Sequence, residues 1–192
     1  MIRQLLQFIV VVIVTTSVTG CMNVATTGAS CVYNRHSLQK SLHDQYISAQ
    51  AYHAINGKTN LFKDANVVVA AYNDDILLTG QVPEVWQRAK AEELVKQIPD
   101  VGRVYNQIQV ESPSSTLTKL SDAWITSKIK AKFMASDDVD VTQIKVVTEN
   151  GAVYLMGTLQ PYQAQAAIEI ASETEGVSCV VKMFRYVRIS RS

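Results

Sequence analysis

A six-residue pattern in this chain occurs twice, and that repeat constrains the fold more than any other feature. Leu120-Ser121-Asp122-Ala123-Trp124-Ile125 follows Leu42-His43-Asp44-Gln45-Tyr46-Ile47 after 78 residues, with the shared pattern Leu-x-Asp-x-aromatic-Ile. In the later copy Ile125, Ile129 and Phe133 recur every fourth residue, which places them on one face of a helix and predicts a buried stripe. Ser121 or Asp122 is the expected cap of that helix, accepting a bond from an unpaired backbone N–H. Trp124 falls about a quarter turn from the stripe at about 100° per residue, beside Lys128 and close to Ala131 and Lys132. A ring among lysines outside the core face suits a helix resting at a lipid headgroup boundary. On the helix alone, an edge-of-core tryptophan with solvated lysines around it accounts for the pattern better.

Each copy opens the same order of elements. In the first, a helix near Ser41–Ile55 precedes the β-branched run Val67–Tyr72, the turn Asn73-Asp74-Asp75 and a return strand over Ile76–Val82. Pro83 is expected to open a second helix, Pro99 to end it, and a third strand to run from Val101 to Val110. The second copy has a helix near Asp122–Ala135, a strand at Gln143–Thr148 and the hairpin signal Glu149-Asn150-Gly151. A return strand at Ala152–Leu159, a helix at Tyr162–Thr174 and a last strand at Val177–Ile189 follow. Gly80 and Gly157 hold matching places near the ends of the two return strands, where a glycine marks a bend or a close backbone approach. The reading is an α+β chain of two helix–strand–strand–helix–strand units, each with helices on a small three-stranded mixed sheet. Each is too small to be robust alone, so the two are expected to pack on each other.

Residues 1–20 read as a secretory signal peptide: Arg3, an apolar run at Ile9–Val14, then Val18-Thr19-Gly20-Cys21. The apolar part is too short for a spanning helix. The last four residues resemble the bacterial lipobox, in which the cysteine, here Cys21, becomes the lipidated first residue. An ordinary signal peptide or an uncleaved anchor is the alternative. Met22, and not aspartate, follows the cysteine, which in that resemblance implies the outer membrane. Residues 21–40 read as a lipidated tether, 41–111 as the first domain, 112–119 as a linker and 120–192 as the second domain. An oxidising compartment permits a Cys31–Cys179 disulfide but the spacing does not specify one. Cys179 lies in an apolar run and is expected to be buried.

The helix–strand–strand–helix–strand order, Asn150-Gly151-x-Val153-x-Leu155-x-Gly157 on the hairpin and the Ala-rich helix after it resemble the BON domain. Ser121-Asp122-x-Trp124-Ile125-Thr126 strengthens the resemblance, which covers the chain beyond the leader and is that of a dual-BON lipoprotein. The resemblance implies an outer-membrane lipoprotein facing the periplasm that binds anionic phospholipid of the phosphatidylglycerol type. It places binding on the first helix of the second domain, and adds a role in envelope integrity and at division sites. The residues expected to meet lipid are Trp124, Ser127, Lys128, Ala131 and Lys132.

Charge distribution points the same way. Residues 41–113 carry six Lys/Arg against nine Asp/Glu, and residues 120–192 eight against eight. Lys128, Lys130 and Lys132 stand on the first helix of the second unit, and Lys182, Arg185, Arg188 and Arg191 at its end. The matching helix positions Gln50, Tyr52 and Ala54 of the first unit are uncharged. Lys130 projects away from Trp124. Tyr46, in Trp124's place, is assigned to packing or to the contact between units, and Met134 and Met156 to core filling. His36, His43 and His53 lack metal or triad spacing, and the Asp137, Asp138, Asp140 cluster lacks an EF-hand pattern. No enzyme, cofactor or metal is expected. Removing Arg3 from the net charge of +1 leaves zero, which argues against nucleic-acid binding. The competing reading is an adaptor whose Trp124 face docks an envelope assembly or cell-wall machine, with Cys21 only the anchor.

Overall fold

A computed structural model describes residues 28–57 and 61–187, with side chains described from Gln39 onward. The signal peptide and the lipobox with Cys21 lie outside the described residues, as do Arg188, Arg191 and the side chain of Cys31. The elements are α1 (Gly28–Asn56), β1 (Asn66–Tyr72), β2 (Asp75–Val82), α2 (Val85–Lys96), β3 (Val104–Asn106) and β4 (Gln109–Val110). They continue with α3 (Thr116–Met134), a 3₁₀ turn (Val141–Gln143), β5 (Ile144–Glu149), β6 (Ala152–Leu159), α4 (Pro161–Ser172) and β7 (Cys179–Tyr186). Both repeats lie within one compact body, Leu38–Ser192.

In each repeat the return strand is central. β2 pairs antiparallel with β1 and parallel with β3 and β4; β6 pairs antiparallel with β5 and parallel with β7. Both sheets are therefore mixed. The third strand of the first repeat, read as continuous over Val101–Val110, is interrupted at Gln107-Ile108. There Ile108 is buried and its N–H turns to the Asn106 Oδ1 at 3.3 Å.

The period-two alternation of the strands gives each sheet two buried faces. One faces the repeat's own helices: Ile76, Leu78 and Val82 pack with Ile47, Ala51 and Ile55 of α1 and with Ala91 and Val95 of α2. In the second repeat Val146, Val153 and Leu155 pack with Ile125, Ile129 and Phe133 of α3 and with Ala164, Ala167 and Ala171 of α4. The opposite faces meet. Ala70 and Leu77 of the first sheet join Tyr154, Met156 and Met183 of the second in one buried cluster. The two sheets are the inner layers, and the helices cover their outer faces. Met156 is core as expected, but Met134 is 68% exposed.

Polar contacts frame the meeting of the sheets. The Tyr72 hydroxyl donates to the Gln143 carbonyl at 2.7 Å, and Asn73 Nδ2 to Thr158 Oγ1 at 2.8 Å. Buried Glu149 accepts from Asn66 Nδ2 at 3.1 Å and Gln81 Nε2 at 2.9 Å. Burial pushes the phenols of Tyr72 and Tyr154 above their ordinary pKa.

Gly80 and Gly157 both mark a close backbone approach. A Cβ at Gly80, where φ is +107°, would stand 1.9 Å from the Asn66 carbonyl oxygen; one at Gly157 would stand 2.9 Å from that of Gln143. Pro83 does not open α2: Glu84 is its N-cap, and the Gln87 side chain accepts from the Glu84 N–H in a capping box.

Candidate functional site

The repeated aspartate has a different task from the one the sequence suggests. Helix α3 begins at Thr116 and not at Asp122; Ser115 is the cap, its Oγ accepting from the Thr118 N–H at 3.1 Å. It thus starts inside the stretch read as linker, as α1 starts inside the stretch read as tether. Asp122 sits nearly two turns into the helix, 5% exposed, and accepts the N–H groups of Asn150 and Gly151 at 2.8 and 2.9 Å. Asp44 does the same in the first repeat, accepting from the N–H groups of Asn73 and Asp74 at 2.9 and 3.1 Å. All four of those turn residues have positive φ, the conformation of a tight hairpin with its N–H groups turned outward. The motif therefore ties the first helix to the hairpin. This fixes the rotation of α3 about its own axis.

That rotation decides what faces out. With Asp122, Ile125, Ile129 and Phe133 buried, the opposite side of α3 is left to solvent. Leu117 is 78% exposed, Leu120 63% and Trp124 65%. Their i, i+3, i+7 spacing makes one apolar stripe, and Ala131, also exposed, continues it. Trp124 thus lies farther from the core than a quarter turn from Ile125 suggests.

Of the residues expected at this face, Ser127 and Lys132 are exposed. Ser127 donates its hydroxyl to the Ala123 carbonyl at 2.9 Å. Lys128 lies with its Nζ 6.0 Å from the centre of the Trp124 ring, within cation–π range. It is not a free charge: Nζ donates to the Glu175 carbonyl at 3.0 Å and stands 3.5 Å from the Glu175 carboxylate. The five expected residues therefore share one side of α3, joined by Leu117 and Leu120, which the sequence reading did not include. Their signal was the same i, i+3, i+7 spacing, read one turn too late because the cap was placed at Ser121 or Asp122.

Other expectations are corrected. Tyr46 is 62% exposed on α1 and packs in neither a core nor the contact between sheets. Tyr46 and Leu42 hold on the first repeat the places of Trp124 and Leu120. Cys179, expected to be buried, is exposed: it shares a sheet face with Val181 and Met183 but stands at the very start of β7. Arg185 does not join a basic lipid-facing cluster. Its Nε and Nη2 donate to Asp75 of the first repeat at 3.1 and 2.5 Å. Arg103 donates to the same carboxylate from Nε and Nη2, at 3.1 and 2.7 Å. Burial raises the Asp75 pKa, but the hydrogen bonds from Arg185 and then Arg103 outweigh it and hold the carboxyl below its ordinary value. Asp75 in turn raises the pKa of the Arg185 guanidinium. Among the described residues, no helix is long and apolar enough to cross a membrane.

Fold and site together define a tandem α+β protein whose candidate site is a helix surface. The model of the BON domain matches residues 43–112 and 121–188, and the chain belongs to that family. It is similar to the 21 kDa hemolysin of Actinobacillus pleuropneumoniae, 35% identical over 145 residues, which cover 76% of this chain and 75% of the relative. The outer membrane lipoprotein DolP of Haemophilus influenzae is 34% identical over 145 residues, 75% of each chain. The osmotically-inducible protein Y of Escherichia coli is 30% identical over 140 residues, 71% of this chain and 69% of its own. None of these names is that of an enzyme. The chain is DolP-like in its paired BON domains, and these relatives support its reading as an envelope lipoprotein.

Proposed function

We propose that this protein is a periplasm-facing lipoprotein, anchored in the outer membrane at Cys21, that binds anionic phospholipid through α3 of its second repeat. The observation that carries the proposal is the exposed stripe Leu117–Leu120–Trp124 on the side of α3 opposite its buried residues. A surface helix of a globular domain normally turns charged or polar residues outward. Here the outward face combines apolar side chains with flanking lysines, the composition of an interfacial helix.

Tryptophan favours the headgroup level of a bilayer, where its ring is shielded and its N–H stays wet. Each leucine sunk fully into apolar surroundings contributes about 1.5–3 kcal/mol, and each basic group near an anionic leaflet about 1 kcal/mol. Insertion of the stripe supplies affinity, while Lys132 and Lys128 supply the preference for anionic headgroups. The Asp122 clamp on the hairpin makes this face rigid, so little ordering cost is left for binding. Support for envelope integrity and action at division sites accompany this reading through the family resemblance.

Tryptophan emission tests the proposal directly. The chain has two tryptophans, Trp86 and Trp124, so Trp86→Phe leaves Trp124 as the only reporter. Its emission is expected to shift to the blue with phosphatidylglycerol-containing vesicles and to stay put with neutral phosphatidylcholine vesicles. No shift with either, beside saturable capture of an envelope protein at the same face, would favour the adaptor reading.

A further inference from the structure

We infer that Glu175 guards the proposed lipid face, holding Lys128 until the phosphodiester of an anionic headgroup in a bilayer displaces it. The inference rests on the lipid reading above and names the residue that sets its charge threshold. Three contacts converge on Lys128. The Glu175 carbonyl accepts from Nζ at 3.0 Å, the Glu175 carboxylate stands at 3.5 Å, and the Trp124 ring centre at 6.0 Å.

The two contacts from Glu175 act differently. The carbonyl bond fixes where the ammonium sits, and the carboxylate neutralises it there. The turn that supplies both is held against α3: a Cβ at Gly176, where φ is +93°, would meet Ile125 Cδ1 at 3.0 Å. Lys128 is therefore kept beside Trp124 by backbone, while the Glu175 side chain is 96% exposed and loosely held. An exposed pair of this kind is weak and screened by salt, as a displaceable guard requires. A lone headgroup competes poorly with the carboxylate, whereas a leaflet dense in anionic lipid presents enough negative potential to take Lys128 over. Neutralising Glu175 frees the charge of Lys128 and leaves its carbonyl anchor in place.

The test uses the chain from Met22 onward, which retains both repeats, with phosphatidylcholine vesicles of increasing phosphatidylglycerol fraction. Glu175→Gln is expected to bind about fivefold more tightly than wild type, the gain from releasing about one basic charge at an anionic surface. Half-saturation moves to a lower phosphatidylglycerol fraction, pure phosphatidylcholine stays unbound, and the gain shrinks as salt rises. In a Lys128→Gln background the same change is expected to give no gain.

Equal binding by Glu175→Gln and wild type would overturn the inference while leaving the lipid reading intact. A gain of the same size in the Lys128→Gln background would also overturn it, since net charge and not Lys128 would then be responsible. Displacement from vesicles by soluble glycerol phosphate at matched phosphate concentration would assign the site to free phosphate and overturn it too. Absence of binding by wild type and by Glu175→Gln alike would sink this inference together with the lipid reading.

Discussion

Arg185 of the second repeat donates two hydrogen bonds to the Asp75 carboxylate of the first, 110 residues earlier in the chain. Asp75 is 5% exposed by side chain, whereas Arg185 is 45% exposed, so the carboxylate depends on the pair more than the guanidinium does. Asp75→Ala is expected to cost roughly 1.5–3 kcal/mol, the range for hydrogen bonds to a charged group. Arg185→Ala is expected to cost less, because Arg103 still binds the carboxylate. Urea midpoints for the two variants check the order.

Acid should reach the same pair. The folded pKa of Asp75 lies below the ordinary aspartate value, since the hydrogen bonds from Arg185 and Arg103 outweigh burial. A carboxyl depressed by folding contributes stability that is fully present above its unfolded pKa and is lost as pH falls through the folded value. Stability should therefore hold down to about pH 4 and decline below it. In Asp75→Asn that part of the decline should be missing from urea titrations between pH 5 and pH 2.

Removing the buried Asp122 carboxylate strips two backbone N–H groups of a charged acceptor on the core side of α3. Asp122→Ala is expected to destabilise by about 3 kcal/mol. Asp44→Ala removes the equivalent clamp at a partly buried position that water can reach more readily, and is expected to cost about half as much. Equal losses would contradict the dependence on burial.

The return-strand glycines give a third pair. Gly80→Ala combines a positive φ with a Cβ 1.9 Å from the Asn66 oxygen, and an expected cost on the order of 4 kcal/mol from strain and overpacking together. Gly157→Ala meets a carbonyl at 2.9 Å without the positive φ, and is expected to cost about 1–3 kcal/mol. Thermal unfolding of both separates the two contributions.

The architecture was legible in the sequence because it is periodic and repeated. Ile125, Ile129 and Phe133 fix the helix face, the Asn150-Gly151 turn fixes the hairpin, and the repeat transfers both to the first unit. What the sequence hid were decisions made by tertiary contact. Asp122 has the residue type of a cap, and only the hairpin folding back onto α3 shows that its carboxylate serves a turn 28 residues away. Displacing the cap also displaced the helix start, which concealed Leu117 and Leu120. Arg185 reads as one of several basic residues until the first repeat brings Asp75 to it. Cys179 lies among valines, yet it stands at the first position of β7 and is exposed. The lysines near Trp124 were visible as a pattern, but the attachment of Lys128 to Glu175 required the α4–β7 turn to be placed.

Co-sedimentation of the chain from Met22 onward with phosphatidylglycerol-containing vesicles, wild type beside Trp124→Glu, bears most directly on the proposed lipid-binding face. Trp124 is exposed and outside every core cluster, so the variant is expected to keep its circular dichroism and urea midpoint. Wild type should sediment with the anionic vesicles and not with neutral ones, and Trp124→Glu should stay in the supernatant. Undiminished sedimentation of Trp124→Glu would contradict the assignment of lipid binding to the outer face of α3.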